Sequence, residues 1–414
     1  STDGMYGLFG KSEAVLISRW RVFRFCSRLI MPILLMLSLA VAGRAVAATE
    51  TVDGITWSYS ILNDEACIGS AMPPYELAID RQLTGEISIP TVLGGKAVTR
   101  IGRYAFDGCD GITSVEIQQT VKVIVDNAFR GCSGIRSVKI PSCVGVLSEV
   151  FPSAPAITNV VICTGTTEIS DGEFCRCQEL QSVEIPDSVV KIGNSAFCGC
   201  GKLQAIEIPD RVVRIGDCAF SGCVKLRQVD IPVGVLEIGS EAFSQCTSLS
   251  EVTIPENVLS IGSGAYAGCS GLTSVKILTK HFNYNAFTGC SAITEVEMGV
   301  AISLSAMFPT SYQTITNVVI HKELVDGGQM LFDNCTSLRT ISIPASVEKL
   351  GSFKNCSALG SGVVVSDGCV LCVNGTCPPD IQLPVGTRMI ARAAFLNRDD
   401  LKSIVIPEGV TTLG

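Results

Sequence analysis

Residues 202–224 read KLQAIEIPDRVVRIGDCAFSGCV, and this stretch decides the fold because its pattern returns every 23 residues. Ile206 and Ile208 alternate with a charged residue, so both side chains lie on one face of a short strand. Pro209 has no backbone N–H, and it ends the hydrogen-bonded ladder there. Gly216 is typical of a turn that needs positive φ. The pattern therefore predicts one coil of a repeat array.

Two short motifs mark the coils. An apolar residue, any residue, Ile and Pro recur at 138–141, 183–186, 206–209, 229–232 and 252–255. Ala-Phe with Cys three residues further on recurs at 105–109, 128–132, 196–200, 219–223 and 242–246. The Ile-Gly pair recurs with its glycine at Gly102, Gly193, Gly216, Gly239 and Gly262. One coil cannot bury its own apolar side, whereas stacked coils share a continuous core.

The combined pattern, Leu-x-x-Val-x-Ile-Pro-x-x-Val-x-x-Ile-Gly-x-x-Ala-Phe-x-x-Cys, resembles the BspA-like (Treponema-type) leucine-rich repeats from about residue 83 to residue 414. The resemblance implies a repeat solenoid: a right-handed stack of coils with a parallel β-sheet on its concave face. Members of that family are largely bacterial secreted or surface proteins, several of them linked to adhesion to host proteins. It thus implies an exported binding protein.

The N-terminus has the features of a targeting segment. Four arginines between positions 19 and 28 precede an apolar run at 29–42, and the small-x-small triplet Ala45-Val46-Ala47 follows. These features predict a signal peptide within residues 1–47 and a secreted or cell-surface location. The apolar run is shorter than the roughly 20 residues of a membrane span. Contact with a membrane is therefore expected only if this segment stays uncleaved as an anchor.

The rest of the chain divides by the repeat. Residues 48–82 lack it and are predicted to cap the first coil, since a solenoid end would otherwise expose core. Residues 83–359 form the solenoid, and 383–414 are further repeats cut short. Between them, residues 360–382 are predicted to be a hairpin insertion, because Asp367-Gly368 and Asn374-Gly375 favour one or two tight turns.

Composition narrows the function. The formal net charge of −8 argues against a nucleic-acid partner, which needs a basic stripe. No phosphate-binding loop, zinc-protease helix or nucleophile elbow occurs in the sequence, so neither enzymatic activity nor a cofactor is predicted. The chain has only two histidines, His281 and His321, and neither lies in a catalytic motif.

Half of the 20 cysteines occupy one repeat position. Equivalent residues of adjacent coils lie about 4.8 Å apart and point inward, where a free thiol packs as a small apolar group. This structural ladder comprises Cys109, Cys132, Cys177, Cys200, Cys223, Cys246, Cys269, Cys290, Cys335 and Cys356. No metal site is predicted from it.

Two further pairs of cysteines lie outside this ladder. Cys175 and Cys198 precede ladder cysteines in two Cys-x-Cys pairs, which leaves a disulfide between them, free thiols or a four-thiolate zinc site open. A two-residue turn at Asn374-Gly375 would place Cys372 directly opposite Cys377, about 4.5 Å away between Cα atoms. That separation falls in the disulfide range, so Cys372–Cys377 is the predicted bridge.

Outward strand positions form columns on the sheet face, and one column is acidic. Glu184, Glu207 and Asp230 fall on three successive strands, and like charges opposite one another are unfavourable. The row therefore suggests a cationic partner or Ca²⁺, which prefers carboxylate oxygens. The alternative is a solvated face, relieved by basic side chains in the adjoining turns, namely Lys191, Arg211 and Arg214. The predicted binding residues are Glu184, Glu207, Asp230, Glu251, Gln228 and Thr253.

The sequence thus predicts an exported or cell-surface protein that binds a protein or glycan partner through the solenoid surface. The alternative is a structural spacer that displays or anchors another domain.

Overall fold

The computed structural model describes residues 46–70, 73–141, 147–151, 156–281, 283, 285–299, 302–321, 326–327 and 332–414. These residues form a stack of about 13 coils of roughly 23 residues each, in which strands of successive coils pair in parallel. The predicted fold class is confirmed. The predicted signal peptide lies outside the described residues except for its last two positions, which belong to the first strand.

One side of the coils carries strands of two to five residues, and we call it the long-strand face. Neighbouring strands are in register at the repeat spacing, as Val160 with Val183 shows. Inward residues are buried and outward residues are not. The strands are β4 (Gly85–Ser88), β7 (Ile112–Glu116), β9 (Ser137–Ile140), β10 (Asn159–Ile162), β12 (Ser182–Glu184), β14 (Ala205–Ile206), β16 (Gln228–Val229), β18 (Glu251–Ile254), β20 (Ser274–Ile277), β21 (Glu295–Met298), β22 (Asn317–Ile320), β24 (Thr340–Ser342), β28 (Asp380–Gln382) and β30 (Ser403–Val405).

A second side carries two-residue strands, and we call it the short-strand face. Here Lys191 pairs with Arg214, and Arg214 pairs with Glu237. The sequence pattern did not predict this ladder, because two residues are too few to show an alternation. The strands are β8 (Val123–Ile124), β11 (Glu168–Ile169), β13 (Lys191–Ile192), β15 (Arg214–Ile215), β17 (Glu237–Ile238), β19 (Ser260–Ile261), β23 (Asp326–Gly327), β25 (Lys349–Leu350), β29 (Met389–Ile390) and β31 (Thr412–Leu413).

The first coil lies beneath a mixed sheet, in which three antiparallel strands come from residues that lack the repeat and the last of them pairs in parallel with Lys96–Ile101. Trp57 of this sheet is 1% exposed, and its ring packs edge-on against Phe106 at a centroid distance of 6.3 Å. The apolar end of the stack is thereby covered. The strands are β1 (Val46–Val52), β2 (Ile55–Leu62) and β3 (Glu65–Ile68), followed by β5 (Val92–Leu93) and β6 (Lys96–Ile101).

A hairpin interrupts the coils near the C-terminal end, and it corrects one prediction. Strands β26 (Gly362–Ser366) and β27 (Cys369–Asn374) are joined at Asp367-Gly368, one of the two predicted turns. In the described part of the chain, no strand pairs antiparallel with β27 across the second predicted turn, because the next strand, β28, pairs in parallel with β30. Cys372 therefore lies opposite Val364, and both Cys372 and Cys377 are free thiols. The predicted Cys372–Cys377 disulfide is wrong because it depended on that second hairpin.

Among the described residues, helical structure is confined to single turns: α1 (Leu147–Val150), α2 (Leu304–Met307) and a 3-10 turn (Ser357–Leu359).

The core is a column of stacked aromatic rings. The ring centroids of Phe197 and Phe220 lie 5.1 Å apart at 4° between planes, and those of Phe220 and Phe243 lie 5.1 Å apart at 7°. Tyr266 continues the column at 5.2 Å. The coil-to-coil rise is therefore close to the 4.7–4.9 Å separation of paired strands.

The glycine of the Ile-Gly pair has a different role from the one predicted. Gly216 does not adopt positive φ. A Cβ atom on Gly216 would instead lie 2.6 Å from the carbonyl carbon of Gly193 in the preceding coil. Positive φ occurs at the residue before the ladder cysteine, as in Gly222 with φ 73°. Arg176 and Gln245 occupy that same position in other coils with φ 63° and 61°.

Glu173 stands where most coils have the Ala that precedes Phe. Its side chain is buried, and the backbone N–H of Ser170 donates to its Oε2 at 2.7 Å. Burial raises the pKa of Glu173 to about 7, against the opposing effect of the hydrogen bonds from Ser170. A carboxyl group in the core makes this coil sensitive to pH.

We expect Gly216→Ala to destabilise the fold by more than about 2 kcal/mol, because the new methyl group meets backbone that cannot rotate away. Gly222→Ala is the matched control. The free energy of unfolding of Gly222→Ala should fall by only about 1 kcal/mol, because other coils already hold a residue with a side chain at this positive-φ position. Denaturant unfolding of both variants measures the difference, and equal losses would contradict the close-approach explanation.

We expect the stability due to Glu173 to be present at low pH and lost as pH rises. The ordinary pKa is 4.5 and the folded value about 7, so above pH 4.5 the unfolded chain ionises first. Glu173→Gln keeps an acceptor for Ser170. It should match the parent at pH 4.5 and exceed it by up to about 3 kcal/mol at pH 8. Thermal unfolding across this range tests the prediction, and parallel pH profiles would refute it.

Candidate functional site

Three acidic side chains stand on consecutive coils of the long-strand face. Glu184 ends β12, Glu207 directly follows β14, and Asp230 directly follows β16. All three are exposed, because side chains alternate along a strand and their neighbours Ile206 and Val229 point into the core. We call these three residues the acidic row.

The acidic row lines a groove of about 680 Å³. The structure thus brings together four of the six predicted binding residues, whereas Glu251 and Thr253 on β18 do not line this groove. The lining residues are Ser182, Val183, Glu184, Ile185, Ala205, Ile206, Glu207, Gln228 and Asp230.

The sheet is interrupted at the same place. Strand β12 pairs with β10, and β14 pairs with β16, but in the described part of the chain no ladder joins β12 to β14 or β16 to β18. Strands β14 and β16 have two residues each, whereas β9, β10, β18 and β20 have four. Like charges directly opposite one another oppose strand pairing. The acidic row thus coincides with a break in the ladder on either side of β14 and β16, although these two strands, which lead into Glu207 and Asp230, still pair with each other.

Elsewhere in this column the acids have partners. Lys139 Nζ lies 2.7 Å from Glu116 Oε1, and this hydrogen bond lowers the pKa of Glu116. Lys276 Nζ lies 3.0 Å from Glu297 Oε2.

Within the described residues, no salt bridge reaches the acidic row. The amide of Gln228 donates to Asp230 Oδ2 at 3.3 Å, which adds no positive charge. The chain neutralises this column on both sides of the groove but not in it.

The basic residues expected to relieve the acidic row serve other acids. Lys191 is paired with Glu168, and Arg214 Nη1 lies 2.8 Å from Glu237 Oε2. Both pairs lie on the short-strand face, because β13 and β15 belong to that ladder. The prediction that Lys191 and Arg214 relieve the acidic row is wrong, since the turns after Pro186 and Pro209 place them on a different side of their coils.

The cysteine ladder does more than fill space. Cys223 Sγ donates to the carbonyl oxygen of Phe197 in the preceding coil at 3.2 Å. Nine of the ten ladder thiols are buried and Cys177 is partly exposed. Burial raises the pKa of Cys132 to about 12, so such a thiol stays protonated and structural. The same hydrogen bond is made by Cys132, Cys200, Cys246, Cys269, Cys290 and Cys356.

Two further observations concern metal ligands and membrane-spanning helices. No group of three or more His, Cys, Asp or Glu side chains in the described ranges could hold a metal ion, so the acids form a row rather than a converging site. None of the described helices is long and apolar enough to span a membrane.

Sequence reasoning missed an apolar stripe beside the short-strand face. Val213, Leu236 and Leu259 are exposed on three successive coils, each just before a two-residue strand. The backbone N–H of Leu236 donates to the carbonyl of Val213 at 2.9 Å, and Leu259 repeats the contact with Leu236 at 2.8 Å. An apolar residue recurring outside the core positions is the signal that could have revealed it.

Comparison with known families supports the repeat architecture. The model of a family described as the BspA type leucine rich repeat region matches in 6 copies, over residues 84–200, 167–294 and 279–367. A search of curated proteins finds no match to the chain.

Solved structures similar to the chain are repeat proteins as well. A leucine-rich repeat protein from Bacteroides ovatus is 24% identical with a TM-score of 0.44, covering 87% of this chain and 95% of its own. A leucine rich cell surface protein from Faecalibacterium prausnitzii is 25% identical with a TM-score of 0.33, covering 71% and 94%. The leucine rich repeat protein of T. pallidum is 22% identical with a TM-score of 0.35, covering 54% and 90%.

We expect Glu207→Gln to raise stability by less than about 1 kcal/mol at low salt, because it removes a repulsive charge from the acidic row. Glu297→Gln, which breaks the pair with Lys276, should act in the opposite direction. Both effects should fade in 1 M salt, where the screening length falls to about 3 Å. Thermal unfolding at two salt concentrations measures them, and a loss of stability in both variants would argue against repulsion.

Proposed function

We propose, because this chain belongs to the family of BspA-type leucine-rich repeat proteins, that it works by binding a partner along its solenoid surface. The partner is a protein that presents lysine or arginine side chains to the groove lined by the acidic row. The binding protein acts outside the cell or on its surface, to which the N-terminal segment directs it.

The observation that carries this proposal is the uncompensated charge in the groove. Glu184, Glu207 and Asp230 form no salt bridge within the described residues, although the same column is ion-paired at Lys139 and at Lys276. A cationic partner would remove this repulsion. Its binding free energy would therefore be more favourable than that of the same ion pairs formed with isolated surface acids.

The geometry suits an extended segment of the partner. Successive acids are separated by one coil, a rise close to 5 Å as the aromatic column shows. Alternate side chains of an extended peptide repeat at about 6.6 Å along one face. Lysine side chains are long and flexible enough to make up the difference between this spacing and that of the acids. The groove, open between β12 and β14, leaves room for the peptide backbone.

A protein partner is favoured over a glycan on charge. A neutral glycan offers hydroxyl groups that bind carboxylates without relieving their mutual repulsion, and an acidic glycan would add to it. Long-range attraction of a basic segment would also speed association and make it dependent on salt.

We expect the triple change Glu184→Ser, Glu207→Ser and Asp230→Ser to weaken binding of a fluorescent oligolysine peptide by about tenfold or more, since three exposed pairs are removed. The parent's affinity should fall with added salt, and the triple variant's should depend on salt less. Fluorescence anisotropy at two salt concentrations measures both effects.

The matched control changes three exposed acids outside the groove, Glu76, Asp110 and Asp399, to Ser. It alters net charge equally and should leave binding near the parent value. Equal weakening in both triple variants would show attraction by overall charge alone. Selective binding to a neutral glycan on an array, unaffected by the groove variant, would contradict the proposed partner.

A further inference from the structure

Two thiols on neighbouring coils face each other outside the buried ladder. Cys175 and Cys198 are equivalent residues 23 positions apart, each two residues before a ladder cysteine. Both side chains are partly exposed, and the Cys175 thiol lies near enough to Cys198 to add to the effect of burial, which raises the pKa of Cys198.

The backbone holds the two turns in register. The N–H of Phe174 donates to the carbonyl of Ala196 at 2.8 Å, and the N–H of Arg176 donates to the carbonyl of Cys198 at 2.6 Å. The rings of Phe174 and Phe197 stack at 5.0 Å. One coil of rise is within the Cα separation of about 4.4–6.8 Å that a disulfide spans. The pair can therefore be bridged without moving a coil.

Accessibility separates this pair from other thiol contacts. Cys269 and Cys290 also lie next to each other on neighbouring coils, as do Cys335 and Cys356, but all four are fully buried. Exchange requires that a thiolate reach the sulfur of an external disulfide. Among the described thiols in mutual contact, Cys175 and Cys198 are the pair open to such a reagent.

We infer that Cys175 and Cys198 form an intercoil disulfide when the protein meets a small-molecule disulfide oxidant. One thiol loses its proton and attacks the external disulfide, which forms a mixed disulfide and releases one thiolate. The second thiol loses its proton and attacks the protein sulfur of that mixed disulfide. A second external thiolate leaves, so two protein thiols are oxidised and one external disulfide is reduced to two thiols.

The disulfide would hold together the two coils that carry β12 and β14, beside the groove. Cys175 lies in the turn before β12 and Cys198 in the turn before β14, and these are strands between which the ladder is interrupted. A covalent link there replaces hydrogen bonds that the long-strand face lacks. This inference rests on the thiol geometry and is independent of the partner that the groove binds.

The test treats the reduced protein with oxidised glutathione, blocks remaining thiols with N-ethylmaleimide, and maps peptides by mass spectrometry without reduction. We expect one cross-linked peptide pair joining Cys175 to Cys198, lighter than the two free peptides by two hydrogen atoms. Cys175→Ser and Cys198→Ser should each abolish it. Cys218→Ser, which removes a partly exposed thiol near Cys198, should leave it unchanged.

The oxidised parent should also unfold at a temperature a few degrees higher than the reduced parent, and this difference should vanish in Cys175→Ser. Separate glutathione adducts on Cys175 and Cys198 without a cross-link would overturn the inference. A cross-link from Cys198 to Cys218, or to a ladder cysteine, would overturn it as well. Because the mapping uses the unaltered chain, the outcome does not depend on the folding of any variant.

Discussion

The rise of about 5 Å from one coil to the next is the constraint on which this structure depends. It is the distance at which parallel strands hydrogen-bond, and it is also the distance at which the rings of Phe197, Phe220 and Phe243 stack. Two backbones held so close leave no room for a Cβ atom at Gly216. The ladder thiols satisfy carbonyl groups of the preceding coil at the same rise, as Cys223 does for Phe197. Every coil is thus stabilised by its neighbours rather than by itself.

Because the rise is fixed, equivalent positions of successive coils form a column of side chains. The charge on each side chain therefore acts directly on its neighbours above and below in that column. Where acids and lysines alternate, as at Glu116 and Lys139, neighbouring coils attract each other. Where three acids follow one another, the charge is not balanced, and these acids line a groove beside which the ladder is interrupted. The groove proposed to bind the partner is therefore a local departure from the rule that stabilises the rest of the array. Such a departure is where a partner gains most by supplying the missing charge.

Much of this architecture could be predicted before any coordinates. The inward positions of Ile208, Phe220 and Cys223 follow from the repeat period, and all three are buried. The acidic row was predicted by counting outward strand positions. The side of the coil on which the basic residues lie could not be predicted in the same way. Arg214, for example, lies on a strand of only two residues, and the direction of that strand depends on the turn before it. The Cys372–Cys377 bridge failed for a similar reason: the hairpin uses one of two equally plausible turn dipeptides.

The amino-acid order alone settles the coil length, the inward and outward positions, and the columns in which like residues meet, because these follow from periodicity. The packed molecule settles the rest. It decides which glycines are needed for backbone approach and which for positive φ, which side of the coil each arginine faces, and where the ladder opens. Those outcomes depend on distances between atoms far apart in the chain, and a repeat period specifies which coils are neighbours without specifying how turns orient their side chains.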